Sequence, residues 1–124
     1  MEDILDIKPT EDTPAVLLSK STGTLSFSGK SLPENPFEYY KPVIEWISEY
    51  IKTPQSLTIA EFSLEYFNTA SSKQIFKILT LLKELTSDHN LIVKWHYEKG
   101  DKDMMISGER FSKLCGIPID IIQL

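Results

Sequence analysis

The sequence predicts a single α/β domain in which helices pack on a mixed β-sheet. Stretches with apolar residues at helical spacing alternate with short stretches rich in β-branched and aromatic residues, which is typical of strand–helix–strand units. The chain has 124 residues, enough for one hydrophobic core. Its composition, 41% hydrophobic and 25% charged, is that of an ordinary globular protein.

The residue pattern in the first part of the chain predicts a short lead-in followed by a β-hairpin. Residues 1–12 are acidic and mixed, so we expect a lead-in or tail there and a single domain over residues 13–124. Residues 15–19 and 25–28 have the pattern of strands. The turn-forming residues 21–24 between them predict the hairpin.

A helix is predicted after the loop at residues 29–35. Asn35 is a good N-cap and Pro36 suits the first helical position. Apolar residues then recur on one side of the chain to about residue 51. Pro42 has no N–H and its ring clashes with the preceding turn, so we expect a kink or a broken first turn there.

The second half of the chain alternates strands with helices. Residues 57–67 carry apolar residues in both phases, as expected for a central strand. The elements predicted after it are a helix from the corner at 68–72 to about residue 86, a strand at 91–98, a helix at 104–114 and a strand at 119–124. Right-handed crossovers between parallel strands give a mixed sheet with helices packed on it.

Four polar side chains compete to cap the second helix: Asn68, Thr69, Ser71 and Ser72. Each could accept a hydrogen bond from a free N–H group of the first turn. The same end of a helix attracts phosphate, so a hydroxyl there is also a candidate for regulatory phosphorylation. Both interpretations of Thr69 or Ser71, a structural cap and a phosphorylation site, stay open on these residues alone.

The charge and the cysteine content limit the classes of partner. A net charge of −5 argues against non-specific binding to nucleic acid and, more weakly, against docking on anionic membranes. No apolar run approaches the length of a membrane span. Cys115 is the single cysteine and is interpreted as a buried or helix-end residue. We expect a cytoplasmic location, because no disulfide can form within the chain and no signal-peptide pattern is visible.

No catalytic or metal-binding pattern stands out. His89 and His96 are the two histidines, and no cysteine lies near them in sequence to complete a zinc site. Asp101, Asp103 and Glu109 lack the ligand spacing of a calcium loop. We therefore expect no catalytic residue, no bound metal and no cofactor. A small enzyme that uses His96 or the loop with Asp101 and Asp103 is the alternative.

Several longer motifs follow one another in a characteristic order. They are SGKSLPEN at 28–35, FEYYKPV at 37–43, LEYFNTASSK at 64–73, VKWHYE at 93–98 and SGE at 107–109. Together they resemble the SiaC-type regulatory phosphoproteins, a bacterial family whose fold is similar to the STAS domain of anti-sigma-factor antagonists. The resemblance covers nearly the whole chain, from about residue 13 to residue 124.

The resemblance implies a STAS-like fold and a binding switch rather than a catalyst. In such a family a dedicated kinase phosphorylates a Ser or Thr at the start of the helix after the central strand. A PP2C-type phosphatase removes the phosphate, and the unmodified form binds the effector, for which a diguanylate cyclase is one candidate. The position that matches the phosphorylated residue is Thr69. Ala70 stands where serine is usual, and Lys30 stands where arginine is usual.

We expect the partner-binding surface to surround Thr69. Its predicted residues are Tyr66, Phe67, Asn68, Ser71, Ser72, Lys73, Lys30 and Asn35. Phosphorylation would add about two negative charges to this interface, so binding of the partner should weaken. The alternative is a constitutive adaptor in which Thr69 only caps the helix.

Overall fold

The structure, a computed structural model, describes residues 1–88 and 90–124. Within them the chain forms one six-stranded sheet, three α-helices and a short 3₁₀ helix. The strands are β1 (Ile4–Ile7), β2 (Ala15–Ser19), β3 (Thr24–Ser31), β4 (Thr58–Phe67), β5 (Leu91–Tyr97) and β6 (Asp120–Gln123). The helices are α1 (Pro36–Tyr50), α2 (Thr69–Leu82) and α3 (Lys102–Cys115), and the 3₁₀ helix, Lys83–Asp88, follows α2.

The six strands lie side by side in chain order. β1, β2 and β3 pair antiparallel, whereas β3, β4, β5 and β6 pair parallel. Each parallel pair is joined by one of the three helices. The predicted mixed sheet and the predicted hairpin are therefore confirmed. The carboxyl ends of the four parallel strands meet at one edge of the sheet, where functional residues often gather in such folds.

The segment 1–12 differs from the expected lead-in or tail. Residues 4–7 form the edge strand β1, which pairs with β2 from Ile4 opposite Ser19 to Ile7 opposite Val16. The indole N–H of Trp46 also donates a hydrogen bond to the carbonyl of Glu2, at 3.0 Å. The strand was missed because four residues, one of them Asp6, are too few for a clear alternation.

The core lies between the sheet and the helices. Every second residue of β4 is buried, from Thr58 to Leu64, and the residues between them are half-buried. On the buried face of the sheet, aromatic side chains of three neighbouring strands pack against one another. Phe27 stacks on Phe62 with ring centroids 4.6 Å apart, and Phe62 lies 5.3 Å from Trp95. These contacts fix β3, β4 and β5 relative to each other beneath the helices.

The ends of α1 and α3 are capped by residues of the expected type. Within α1, however, the helix is not interrupted where a break was expected. Asn35 caps α1 by accepting the N–H of Glu38 at 3.2 Å, and Gly116 ends α3 in the left-handed conformation at φ 68°. Pro42 lies within a helix that continues from Pro36 to Tyr50, so the expected broken first turn does not occur. Pro42 is exposed, which leaves the packed face of the helix undisturbed.

Candidate functional site

The site predicted around Thr69 lies at the corner where β4 ends and α2 begins. Asn68, not Thr69, is the residue that caps the helix: its side-chain oxygen accepts the N–H of Ser71 at 2.8 Å. Its backbone N–H donates to the carbonyl of Ser31 on β3, at 3.3 Å. Ser72 then closes the first helical turn through its N–H to the Asn68 carbonyl, at 3.0 Å. Of the four candidates for the N-cap, Asn68 is therefore the one that caps the helix.

Thr69 is the first residue of α2, and its side chain is exposed. Within residues 1–88 and 90–124, no hydrogen bond engages its hydroxyl. The interpretation of Thr69 as the helix cap is therefore wrong, because Asn68 fills that role. The free and accessible hydroxyl is what a kinase would require.

Ser71 was predicted to bind a partner, and the structure corrects this. The residue is 0% exposed, and its hydroxyl donates to the backbone carbonyl of Ser31 at 3.0 Å. The Ser31 hydroxyl donates to the Ser71 oxygen at 2.9 Å, so the buried Tyr40 hydroxyl, 2.6 Å away, must donate to Ser31. Burial raises the pKa of Tyr40 and keeps this donor protonated. Ser71 therefore ties α2 to β3 and α1 instead of facing a partner.

Unlike Ser71, the other polar residues near the start of α2 and the Asn35 cap of α1 are at least partly exposed. Ser72 is half-buried, and its hydroxyl donates to the Thr69 carbonyl at 2.8 Å. Lys73 and Ala70 are exposed. Asn35 is also exposed, and its side-chain oxygen accepts the cap bond of α1, so it has a structural role in addition to any role in binding.

A β-bulge places two exposed residues beside the corner. Gly29 of β3 lies opposite Leu64 of β4, but the next residue, Lys30, lies opposite Tyr66, so Glu65 is left over. A bulge of this kind changes which side chains of a strand point to each face. Lys30 and Tyr66 consequently stand next to each other, and Tyr66 is 52% exposed. The sequence predicted both residues at the site but not the bulge that pairs them.

Thr69 lines a cleft of about 330 Å³ between the corner and α3. The residues that line it are Phe67, Asn68, Thr69, Ser72, Ser107, Arg110, Phe111 and Leu114. Half of them belong to α3, which the sequence did not connect with the site. Leu114 is 63% exposed and supplies apolar surface to the cleft.

Helix α3 approaches the sheet closely because Gly108 has no side chain. A Cβ at that position would lie 2.5 Å from Cδ1 of Trp95 and 2.8 Å from the Ile121 side chain. The indole N–H of Trp95 donates to the Met104 carbonyl at 2.9 Å, which fixes the same helix from a second point. Phe111 completes the contact, with its ring centroid 5.5 Å from that of Trp95. The wall of the cleft is thus anchored on the core.

Positively and negatively charged side chains at this edge of the molecule line two different cavities. Arg110, the single arginine of the sequence, is the one charged side chain among the described residues that lines the cleft. A neighbouring hollow of about 240 Å³ is lined by three carboxylate residues, Glu65, Asp101 and Asp103. Asp101 also caps α3 by accepting the N–H of Met104 at 3.1 Å. An anion is therefore favoured in the cleft and disfavoured in the hollow.

The other described residues that were considered for catalysis or metal binding do not line the cleft. His96 is half-buried on β5, with its Nε2 atom 3.9 Å from a Glu61 carboxylate oxygen, and His89 lies outside the described residues. Over 1–88 and 90–124, no three His, Cys, Asp or Glu side chains are grouped so that they could hold a metal ion. Cys115 is buried at the end of α3, and burial raises the pKa of its thiol. No helix in the described part of the chain is long and apolar enough to cross a membrane.

Comparison with known proteins identifies relatives over the whole domain. The model of the SiaC family of regulatory phosphoproteins matches residues 7–124. An uncharacterized protein of Pseudomonas aeruginosa strain UCBPP-PA14 is 32% identical over 118 residues, which is 94% of each chain.

Solved structures agree with this comparison. SiaC of Pseudomonas aeruginosa superposes with a TM-score of 0.87 at 31% identity, covering 99% of this chain and 100% of that one. A chain of the crystal structure of the diguanylate cyclase SiaD in complex with its activator SiaC, from the same species, gives a TM-score of 0.89 at 31% identity. That match covers 97% of this chain and 99% of the other. The likeness confirms the predicted α/β fold.

Proposed function

Because this chain belongs to the SiaC family of regulatory phosphoproteins, we propose that it is a non-enzymatic signalling switch controlled at Thr69. The unmodified protein binds its effector through the surface around the cleft, and phosphorylation of Thr69 releases the effector. The observation that supports this most strongly is the Thr69 side chain itself, which is exposed, lines the cleft and is not needed as a cap.

The effector that we propose is a diguanylate cyclase. Support comes from the relative SiaC, which is the activator of the cyclase SiaD and forms a complex with it. The present chain shares the fold of the complexed protein over almost its whole length. A kinase and a PP2C-type phosphatase complete the proposed switch, and the chemistry of phosphate transfer resides in those two enzymes.

The lining of the cleft suits a partner whose binding depends on the charge at Thr69. Phe67, Phe111 and Leu114 give it apolar surface, and Tyr66 adds an exposed ring beside it. A partner that covers Thr69 removes water from a neutral hydroxyl at small cost. A phosphate at the same position has about two negative charges, whose desolvation in an interface costs far more than that of a hydroxyl.

The proposal predicts that the cognate kinase modifies Thr69 and no neighbouring hydroxyl. The full-length protein is incubated with the kinase and ATP, and the product is mapped by mass spectrometry. Thr69→Ala should abolish phosphate incorporation, because the acceptor hydroxyl is removed. Ser72→Ala is the matched control and should be modified like the wild type, because the Ser72 hydroxyl is half-buried and already bonded to the Thr69 carbonyl. Phosphate on another residue, with Thr69 unmodified, would disprove the assignment.

A further inference from the structure

We propose that Arg110 is the internal receptor for the phosphate on Thr69, so that phosphorylation forms an ion pair across the cleft between α2 and α3. The inference rests on the proposed function, since it needs a phosphate at Thr69.

Arg110 is an exposed residue of α3. No carboxylate in the described part of the chain forms an ion pair with it. Its helical neighbours three and four residues away are Ile106, Ser107, Lys113 and Leu114, none of which is acidic. Exposed arginines on helices commonly pair with such neighbours, so an arginine without an acidic partner beside a cleft is available for another anion.

The chemistry of the guanidinium group matches a phosphate monoester. Its N–H donors lie in a planar fork that binds two phosphate oxygens at once, and the group stays charged at every physiological pH. Thr69 and Arg110 line the same cleft from different helices, and none of the carboxylates in residues 1–88 and 90–124 lines it with them. A phosphate on Thr69 therefore enters a space in which the one charged side chain is of opposite sign.

The competing cation is Lys73, four residues after Thr69 on the same helix. Lys73 is exposed and does not line the cleft. On the other side, the carboxylates of Glu65, Asp101 and Asp103 line the adjoining hollow and would repel the phosphate from it. Both features direct the phosphate toward Arg110.

Pairing across the cleft also explains how one phosphate releases a partner. The phosphate and the guanidinium occupy the space between Thr69 and α3 that the partner must enter. The partner then loses both the neutral corner and access to Arg110. Arginine is among the residues that contribute most to protein interfaces, so its withdrawal adds to the cost of burying the phosphate.

The test uses the full-length protein with phosphothreonine introduced at position 69 during translation. The second pKa of the phosphoryl group is measured by ³¹P NMR titration in the wild type and in Arg110→Gln, with Arg110→Lys as a second variant. Lys73→Gln and Lys113→Gln serve as controls that remove one positive charge elsewhere. No kinase is required, so a failure of this test is separate from a failure of kinase recognition at Thr69.

A paired cation stabilises the dianion, so the phosphoryl pKa of the wild type should be lower than that of Arg110→Gln by about one pH unit. Arg110→Lys should fall between them, because lysine keeps the charge and loses the fork. Both control variants should titrate like the wild type. Equal values in the wild type and Arg110→Gln would overturn the proposal, as would an equal effect of Lys73→Gln or Lys113→Gln.

Discussion

Asn68 and Thr69 are neighbours at the start of α2, but they differ in structural role: Asn68 caps the helix and Thr69 does not. The Asn68 side chain accepts the N–H of Ser71 and holds the first turn, while the Thr69 hydroxyl has no hydrogen bond within the described residues. Ser71, two residues further, is buried and bonded to Ser31. The stability of the corner therefore depends on two of its polar residues and not on the Thr69 side chain.

This division predicts unequal effects of two alanine substitutions. Asn68→Ala should lower the free energy of unfolding by about 1 kcal/mol, because the Ser71 N–H loses its acceptor. Thr69→Ala should change it by less than about 0.5 kcal/mol, as is usual for an exposed side chain without a partner. Urea denaturation followed by circular dichroism measures both values. A larger loss for Thr69→Ala than for Asn68→Ala would restore Thr69 as a structural cap.

At the scale of elements, the cleft depends on how closely α3 approaches β5. Gly108 lies against Trp95 and Ile121 with no room for a methyl group, and the Trp95 indole bonds to the Met104 carbonyl. α2 is held independently, through the Ser71 hydroxyl and the Asn68 backbone to β3. The two walls of the cleft are thus anchored on different strands of one sheet, and their separation is set by the packing of the core.

Gly108→Ala should disturb one wall alone. The added methyl group overpacks the contact with Trp95 and should lower the free energy of unfolding by about 1–3 kcal/mol. Lys113→Ala, an exposed change on the same helix, is the control and should cost less than about 0.5 kcal/mol. Thermal or urea denaturation compares them, and the Trp95 indole N–H resonance reports the local contact. An unchanged resonance and unchanged stability in Gly108→Ala would show that α3 does not rest on the sheet in this way.

For the molecule as a whole, local patterns in the sequence predicted most of the architecture. The turn residues of the hairpin, the apolar periodicity of α1 and the cap at Asn35 depend on residues a few positions apart, and the structure contains each of them. The edge strand β1 was not predicted, because its four residues are too few to show a clear alternation.

At the corner around Thr69, the sequence did not predict contacts between elements that are distant in the chain. Thr69 could be singled out because the family resemblance and the helix-start pattern are local. The burial of Ser71 and the position of Arg110 in the cleft follow from packing between elements that are about 40 residues apart or more, as the Ser31–Ser71 bond is. The presence of a single arginine in an acidic chain was the one sequence feature that could have drawn attention to α3.

The affinity of the protein for the proposed effector, a diguanylate cyclase, measured by isothermal titration calorimetry with Thr69 unmodified and phosphorylated, tests the central claim most directly. Thr69→Val serves as a neutral control of similar shape. The account predicts that phosphorylation weakens binding by roughly tenfold or more, equivalent to about 1.4 kcal/mol, while Thr69→Val binds nearly as well as the wild type. Equal affinity of the phosphorylated and unmodified proteins, with the fold intact by circular dichroism, would contradict it.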